Sequence, residues 1–254
     1  MFRGDHPELR RTLGLAQRLA RDLGHPRTGS EHLLLALTGG DVVAPGLGAG
    51  LGAGPGDDGE GGLATVLARY GVTREAVGNA VRDVAPAGAG AAADRDALAV
   101  LGIDLDWLLG ASRARALDRP PVREPLFPLG AAGARRRCAR MRPPLGLDAQ
   151  AAYEASLRLA LARRERRHRP EHLALALVAL DPGVARVLAA TGTDARALLT
   201  ALAVAFPPPR RAFPLRVERR LARRVRHRDI VRRYAHTTGR AVVSGPALAA
   251  LIDG

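Results

Sequence analysis

Two Glu-His pairs, Glu31-His32 and Glu171-His172, place side chains that can do chemistry next to each other. A carboxylate beside an imidazole can bind a metal ion, move a proton or accept a hydrogen bond from a cationic group. The second pair closes residues 168–172 (HRPEH), which match the pattern His-x-x-Glu-His of one class of zinc peptidases. Metal binding is therefore the first chemistry to weigh.

The zinc-peptidase pattern needs both histidines on one face of a single helix. Pro170 favours the first position of a helix, where its missing N–H needs no partner, and this leaves His168 outside that helix. We therefore predict neither a metal site at residues 168–172 nor any other metal or cofactor. His32 and His172 are interpreted as core histidines that each satisfy one hydrogen bond.

Cys138 is the chain's single cysteine, and Arg137 and Arg140 flank it. Neighbouring cations lower the pKa of a thiol, but no His or Asn lies close to it in the sequence, so we interpret Cys138 as an incidental linker residue. One cysteine cannot form an intrachain disulfide and is typical of a reducing compartment. With no apolar signal segment at residues 1–11 and no apolar run of about 20 residues, we expect a cytoplasmic protein without a transmembrane segment.

The elements that position the Glu-His pairs are predicted to be helices. Hydrophobic residues make up 47% of the chain and aromatic residues only 3%, so a core must be built from Leu, Ala and Val. Ala and Leu favour helix, and strand-like alternation is nearly absent. The predicted class is all-α, with two units of four helices at 9–23, 31–38, 63–70 and 73–84, and at 149–164, 171–180, 184–190 and 194–204.

The two units form an internal repeat. Residues 28–37 (TGSEHLLLAL) and residues 169–177 (RPEHLALAL) both lead from a helix-start signal into a dense apolar run. Ser30 can cap the first helix, and Pro170 stands at the equivalent position of the second. A Gly-rich stretch at residues 41–62 reads as an insertion in the first copy.

We accordingly divide the chain at residues 93, 147 and 205. Residues 1–93 are the first repeat, and residues 94–147 are an inter-repeat segment, including a helix with Trp107, followed by an Arg/Pro-rich linker. Residues 148–205 are the second, degenerate repeat, and residues 206–254 are a basic C-terminal tail, with amphipathic helix predicted at 214–234 and a short helix at 246–252.

Positive charge is concentrated between and after the repeats. The net charge is +14, and every basic residue is Arg. Residues 206–254 contain 12 Arg and 3 acidic residues, and residues 111–145 contain 9 Arg and 2 acidic residues, which leaves the remainder near neutral. These segments are expected to be either solvated and flexible or sites for an acidic partner.

The repeated motif, with Gly24-His25 ahead of residues 28–37, closely resembles the Clp amino-terminal (Clp repeat) domain, which caps the Clp family of protein-unfolding ATPases. The resemblance covers about residues 5–84 and 148–205. It implies an eight-helix bundle of two pseudo-twofold-related repeats, which docks substrate polypeptides, adaptor proteins or a Clp ATPase. The second copy departs from the pattern, since Arg164-Glu165 replaces Gly24-His25.

The resemblance also implies binding residues. In some members the Glu of this motif recognises phosphorylated arginine, and the matching positions are Glu31 and Glu171, with Ser30 supplying a hydroxyl that Pro170 lacks. Gly29 and Pro170 are assigned structural roles at the helix starts. A phosphate-binding P-loop requires Lys, which this chain lacks, so we predict a stand-alone, non-enzymatic member without the ATPase modules.

An alternative function comes from the tail at residues 206–254. An Arg-rich helix there could bind nucleic acid and make the chain a transcriptional regulator. Phe213 and Tyr234 are the only aromatic residues of the strongly basic part, which disfavours a platform for stacking single-stranded bases.

Overall fold

A computed structural model of the chain describes residues 3–39, 62–104, 142–209 and 227–253. These residues contain eleven α-helices and no named strand, which confirms the all-α prediction. The helices are α1 (Pro7–Asp22), α2 (Ser30–Leu37), α3 (Leu63–Arg69), α4 (Arg74–Val84), α5 (Ala89–Ala99), α6 (Leu147–Ala162), α7 (Pro170–Leu180), α8 (Pro182–Ala190), α9 (Ala195–Ala205), α10 (His227–Thr238) and α11 (Gly245–Asp253).

The helices of the two repeats begin at the residues that the sequence marks as starts. The Thr73 side chain accepts the N–H of Ala76 at the start of α4, and Asp194 caps α9 in the same way. Gly71 and Gly192, at the turns before these two helices, have φ angles of 76° and 74°. This left-handed backbone favours glycine, so a glycine stands at each turn, between the helices that the sequence predicts at 63–70 and 73–84 and at 184–190 and 194–204.

Two backbone bridges connect the repeats, and each joins a residue of one repeat to a residue at or just before the start of the other. Thr28 pairs with Leu145, with hydrogen bonds of 2.9 and 3.0 Å to the residues on either side of it, and His168 pairs with Asp5 in the same way, at 3.0 and 2.8 Å. Adding 140 to residue numbers ahead of the Gly-rich stretch of the first repeat gives those of the second, which relates Thr28 to His168 and Asp5 to Leu145, so the two bridges are one contact made twice. This exchange is what a twofold relation between the repeats produces.

Helices α2 and α7 form the centre of the bundle. All eight residues of α2 are buried, and so is every residue of α7 except Glu171. The core contains almost no aromatic side chains and is built from Leu, Ala and Val. The Glu-His pairs are therefore positioned by the first turns of the two most deeply buried helices.

The predicted boundary at residue 93 falls inside a helix. Helix α5 runs across it and packs against α8 of the second repeat. A Cβ on Gly183 would lie 2.8 Å from the carbonyl carbon of Ala89, so the two backbones approach closely because a glycine stands there. Helix α5 thus joins the repeats and belongs to the bundle.

The C-terminal segment is not wholly a solvated tail. Helices α10 and α11 pack on the bundle, mainly against α6 for α10, and bury Ile230, Tyr234, Leu248 and Leu251 at 0–5% exposure. These apolar residues recur every three or four positions and bury one face of each helix. The description of residues 206–254 as a separate tail is therefore wrong for residues 227–253.

Several sequence interpretations fall outside the described residues. They are the Gly-rich insertion up to residue 61, the helix with Trp107, the linker with Cys138, and most of the amphipathic helix expected at 214–234. In the described ranges no single helix is long and apolar enough to cross a membrane. Helices α7 and α8 reach that length only together, with a bend of 88° between them.

Replacing Tyr234 with Phe tests whether the C-terminal helices are part of the cooperative fold. The Tyr234 hydroxyl donates a hydrogen bond of 2.6 Å to Asp181 Oδ2, and both residues are buried. The substitution leaves a buried acceptor without its donor, so we expect the free energy of unfolding to fall by about 1–3 kcal/mol in urea titrations. Tyr70→Phe is the matched control, since Tyr70 is 38% exposed; equal, negligible changes in both variants would contradict the packing of α10.

Candidate functional site at the Glu-His pairs

Each histidine of the two pairs caps the helix that carries it. His32 Nδ1 accepts the N–H of Gly29 at 2.9 Å, and His172 Nδ1 accepts the N–H of Arg169 at 3.0 Å. Both imidazoles are buried, at 0% and 1% exposure. The contact occupies one donor that a helix start would otherwise leave unpaired, so both histidines have a structural role.

The Glu31 carboxylate is enclosed, with 1% of the residue exposed. Its Oε1 lies 3.0 Å from His32 Nδ1 and 3.7 Å from His25 Nδ1. Burial alone would raise the pKa of Glu31, but the neighbouring His25 outweighs it and lowers the pKa. A Cβ on Gly29 would collide with the same carboxylate, which explains the glycine at this position.

Ser30 is also buried and points into the bundle. Its N–H and Oγ donate to Asp148 Oδ2, at 3.2 and 3.3 Å. The expectation that Glu31 and Ser30 form a surface acceptor for a visiting chain is therefore wrong for this structure, because both groups already have partners inside the protein. The sequence pattern showed the helix start but gave no signal of Asp148, which lies 118 positions away.

Asp148 belongs to a buried charged cluster between the repeats and the C-terminal helices. Asp181 Oδ1 accepts the N–H of Val184 at 2.7 Å, and its Oδ2 accepts the Tyr234 hydroxyl. Arg240 donates to both carboxylate oxygens of Asp94. The pKa of Asp148 is raised to about 6, first by burial and then by repulsion from other carboxylates. Among the described residues of this cluster, Arg240 is the cation that acts on Asp94, Asp148 and Asp181.

Glu171, the equivalent of Glu31, is placed differently. It is partly exposed at the first turn of α7, and its buried Oε2 has no hydrogen-bond partner among the described residues. His172 Nε2 instead lies 2.8 Å from Glu165 Oε1, and Arg163 Nε lies 3.4 Å from the same oxygen. In the second repeat, Glu165 takes over the contact with the histidine, and the charge of Glu171 acts on nearby Arg163.

His168 takes part in a constellation that the sequence did not suggest. Ser156 Oγ lies 2.8 Å from His168 Nε2, and His168 Nδ1 lies 3.0 Å from Asp5 Oδ1, in the order of the Ser-His-Asp hydrolases. Both Ser156 and His168 are 0% exposed, and Ser156 Oγ also contacts the carbonyl of Tyr153 at 2.8 Å. A nucleophile in this setting cannot meet a substrate, so the network ties the second repeat to the start of the chain.

One group of residues in the described chain can hold a metal ion. His25, Glu31 and His32 each offer a ligand atom, and these atoms lie within 4.8 Å of one another. The sequence analysis predicted no metal site, either at residues 168–172 or elsewhere in the chain, and this cluster was not foreseen. His168 stands before α7, as expected. His25 had no assigned role in the sequence analysis.

Comparisons with known proteins give similarities to solved structures only. No protein-family model matches the chain, and no curated protein sequence matches it. Among solved structures, the chain is similar to the N-terminal domain of the caseinolytic protease-associated chaperone ClpD from Arabidopsis thaliana. That similarity has 17% sequence identity and a TM-score of 0.41, and it covers 79% of this chain and 92% of the other. The evidence for function therefore lies in this chain's own residues.

Proposed function

We propose that this protein is a non-enzymatic, cytoplasmic protein-binding module of the Clp protease and chaperone system, which docks a substrate polypeptide, an adaptor or a Clp ATPase. The proposal is supported by the motif at residues 28–37 and by the duplicated four-helix bundle built around it. Docking would use a preformed helical surface and no covalent chemistry.

The observation that carries this proposal is the state of the Glu171 carboxylate. Glu171 is partly exposed on the first turn of a core helix, and its oxygen Oε2 is buried without a hydrogen-bond partner in the described chain, so a visiting group would meet the carboxylate on its exposed side. Such a carboxylate can accept charge-assisted hydrogen bonds from a guanidinium group. Exposed Arg169, at the start of the same helix, offers a cation for a phosphoryl group. Phosphoarginine combines both groups.

Titration of the full chain with phosphoarginine, followed by calorimetry, tests this role. Glu171→Gln is expected to weaken binding roughly 10- to 100-fold, because hydrogen bonds to charged groups contribute about 1.5–3 kcal/mol. Glu75→Gln is the matched control, since Glu75 also lies in the first turn of a repeat helix but is exposed; it should change binding less than twofold. Absence of binding, or equal binding by both variants, would reject phosphoarginine recognition at Glu171.

A second measurement separates docking to a Clp ATPase from recognition of phosphoarginine. Immobilised full chain should retain a purified Clp unfoldase, and replacing the exposed Arg228 and Arg232 with Gln tests whether the C-terminal segment carries that binding without removing its buried residues. The alternative, nucleic-acid binding by residues 206–254, stays a prediction. Within the described part, Arg240 is bonded to Asp94 and Arg233 lies 3.5 Å from Glu154, so both arginines serve the fold. DNA binding that weakens steeply with salt would favour the alternative.

A further inference from the structure

The three side chains His25, Glu31 and His32 form a compact donor set in the first repeat. Glu31 Oε1 lies 3.0 Å from His32 Nδ1 and 3.7 Å from His25 Nδ1. Two ligand atoms on a tetrahedral zinc ion, each about 2.0–2.1 Å from the metal, lie about 3.3 Å apart. These two distances are therefore close to those between the ligands of a bound zinc ion, and all three ligand atoms lie within 4.8 Å of one another.

Several atoms of the donor set are buried without partners. His25 Nδ1, Glu31 Oε2 and His32 Nε2 have no hydrogen-bond partner among the described residues, although the side chains of His25 and Glu31 are only 9% and 1% exposed. Buried polar atoms are nearly always paired. A cation bound by this cluster would give His25 Nδ1 and the Glu31 carboxylate the partner that they lack.

The contact between Glu31 and His32 also calls for a cation. His32 Nδ1 already accepts the N–H of Gly29, and a carboxylate oxygen lies 3.0 Å from the same nitrogen. Two acceptors at that distance repel each other unless a proton or a metal ion lies between them.

The second repeat has different residue types at the equivalent positions. Glu165 replaces His25, and its Oε1 lies 2.8 Å from His172 Nε2, with Arg163 3.4 Å away on the other side. That half has a carboxylate and a guanidinium where the first repeat has a second imidazole. The second repeat thus lacks the two-histidine donor set.

We propose that His25, Glu31 and His32 bind one divalent transition-metal ion, with zinc as the reference ion. Two imidazoles and one carboxylate suit zinc and the neighbouring first-row divalent ions. Binding through His32 Nδ1 takes the lone pair that the Gly29 N–H now uses, so the Gly29 amide has to turn away. This site is independent of docking at Glu171.

Zinc titration of the full chain, after EDTA treatment and dialysis into metal-free buffer, tests the proposal. We expect one equivalent of zinc by calorimetry, an absorption band of bound Co²⁺, and a shift of the Gly29 amide resonance by NMR. His25→Ala and Glu31→Gln should each weaken zinc binding at least tenfold. His236→Ala, on the exposed side of α10, is the matched control and should bind as the unaltered chain does.

The outcomes decide the proposal directly. An unaltered chain that binds no zinc at millimolar concentration would overturn it, as would equal binding by His25→Ala and His236→Ala. If Glu31→Gln does not fold, the His25→Ala result with the Gly29 amide shift carries the test, since His25 lies in the turn before α2. Phosphoarginine binding that persists with the zinc site removed would separate this inference from the docking role.

Discussion

Replacing Leu173 with Ala is expected to lower the free energy of unfolding by about 3–5 kcal/mol. Leu173 is 0% exposed on α7, and its pseudo-twofold equivalent Leu33 is 0% exposed on α2. The substitution removes buried methyl groups and leaves a cavity, which the packed neighbours fill only in part. Urea titration followed by circular dichroism measures the loss, and Leu33→Ala should give a loss in the same range because the two repeats share one core.

Leu101→Ala is the control for both core substitutions. Leu101 is 71% exposed after the end of α5, so its truncation should change stability by less than about 0.5 kcal/mol. If Leu33→Ala cost little while Leu173→Ala cost several kcal/mol, the first repeat would not belong to the same cooperative unit. The shared core between α2 and α7 would then be wrong.

Replacing Asp148 with Asn is expected to change the free energy of unfolding more favourably at pH 7 than at pH 4, each relative to the unaltered chain at the same pH. Burial, followed by repulsion from Glu31 and Asp181, raises the pKa of Asp148 to about 6, against about 3.9 in the unfolded chain. Because the folded state holds its proton more tightly, the stability contributed by protonated Asp148 is full below about pH 4 and is lost as the pH rises through 6. Asn keeps an acceptor for the Ser30 N–H and carries no charge.

The expected difference between the two proteins is about 1–3 kcal/mol across that pH range, since one pKa unit corresponds to about 1.4 kcal/mol. Urea titrations at pH 4, 5.5 and 7 in the presence of EDTA give the values. Asp83→Asn, an exposed substitution on α4, should show no such trend. A difference between Asp148→Asn and the unaltered chain that stays constant with pH would mean that Asp148 is not held in its protonated form.

The positions of the repeat helices were predictable because local signals agreed with packing. Thr73, Asp181 and Asp194 cap helices, and Gly71 and Gly192 terminate them, within a residue or two of the predicted ends. Caps and left-handed glycines act over three or four residues, so a single sequence contains the information. The composition likewise predicted that Leu, Ala and Val build the core.

The site could be predicted only in part because its contacts join distant positions. Whether Glu31 is exposed depends on His25, on Gly29 and on the start of α5 at Gly88, whose Cβ would lie 3.4 Å from Glu31 Oε1. The link between Ser30 and Asp148 spans the two repeats, and local patterns carry no information on it. The arginines of the C-terminal segment suggested a basic tail, but its apolar positions pack α10 on α6 and α11 on α7.

The exchanged bridges at Thr28 and His168 have a consequence for any fragment of this chain. A polypeptide that ended before α6 would leave α2 bare on the side that α7 now covers. The surface that matches it best already exists, since another molecule of the same fragment, rotated by half a turn, would present α2 where α7 stood. We therefore expect a fragment that holds one half alone to dimerise. The covalent chain between the halves fixes a pairing that two separate molecules would have to find by diffusion.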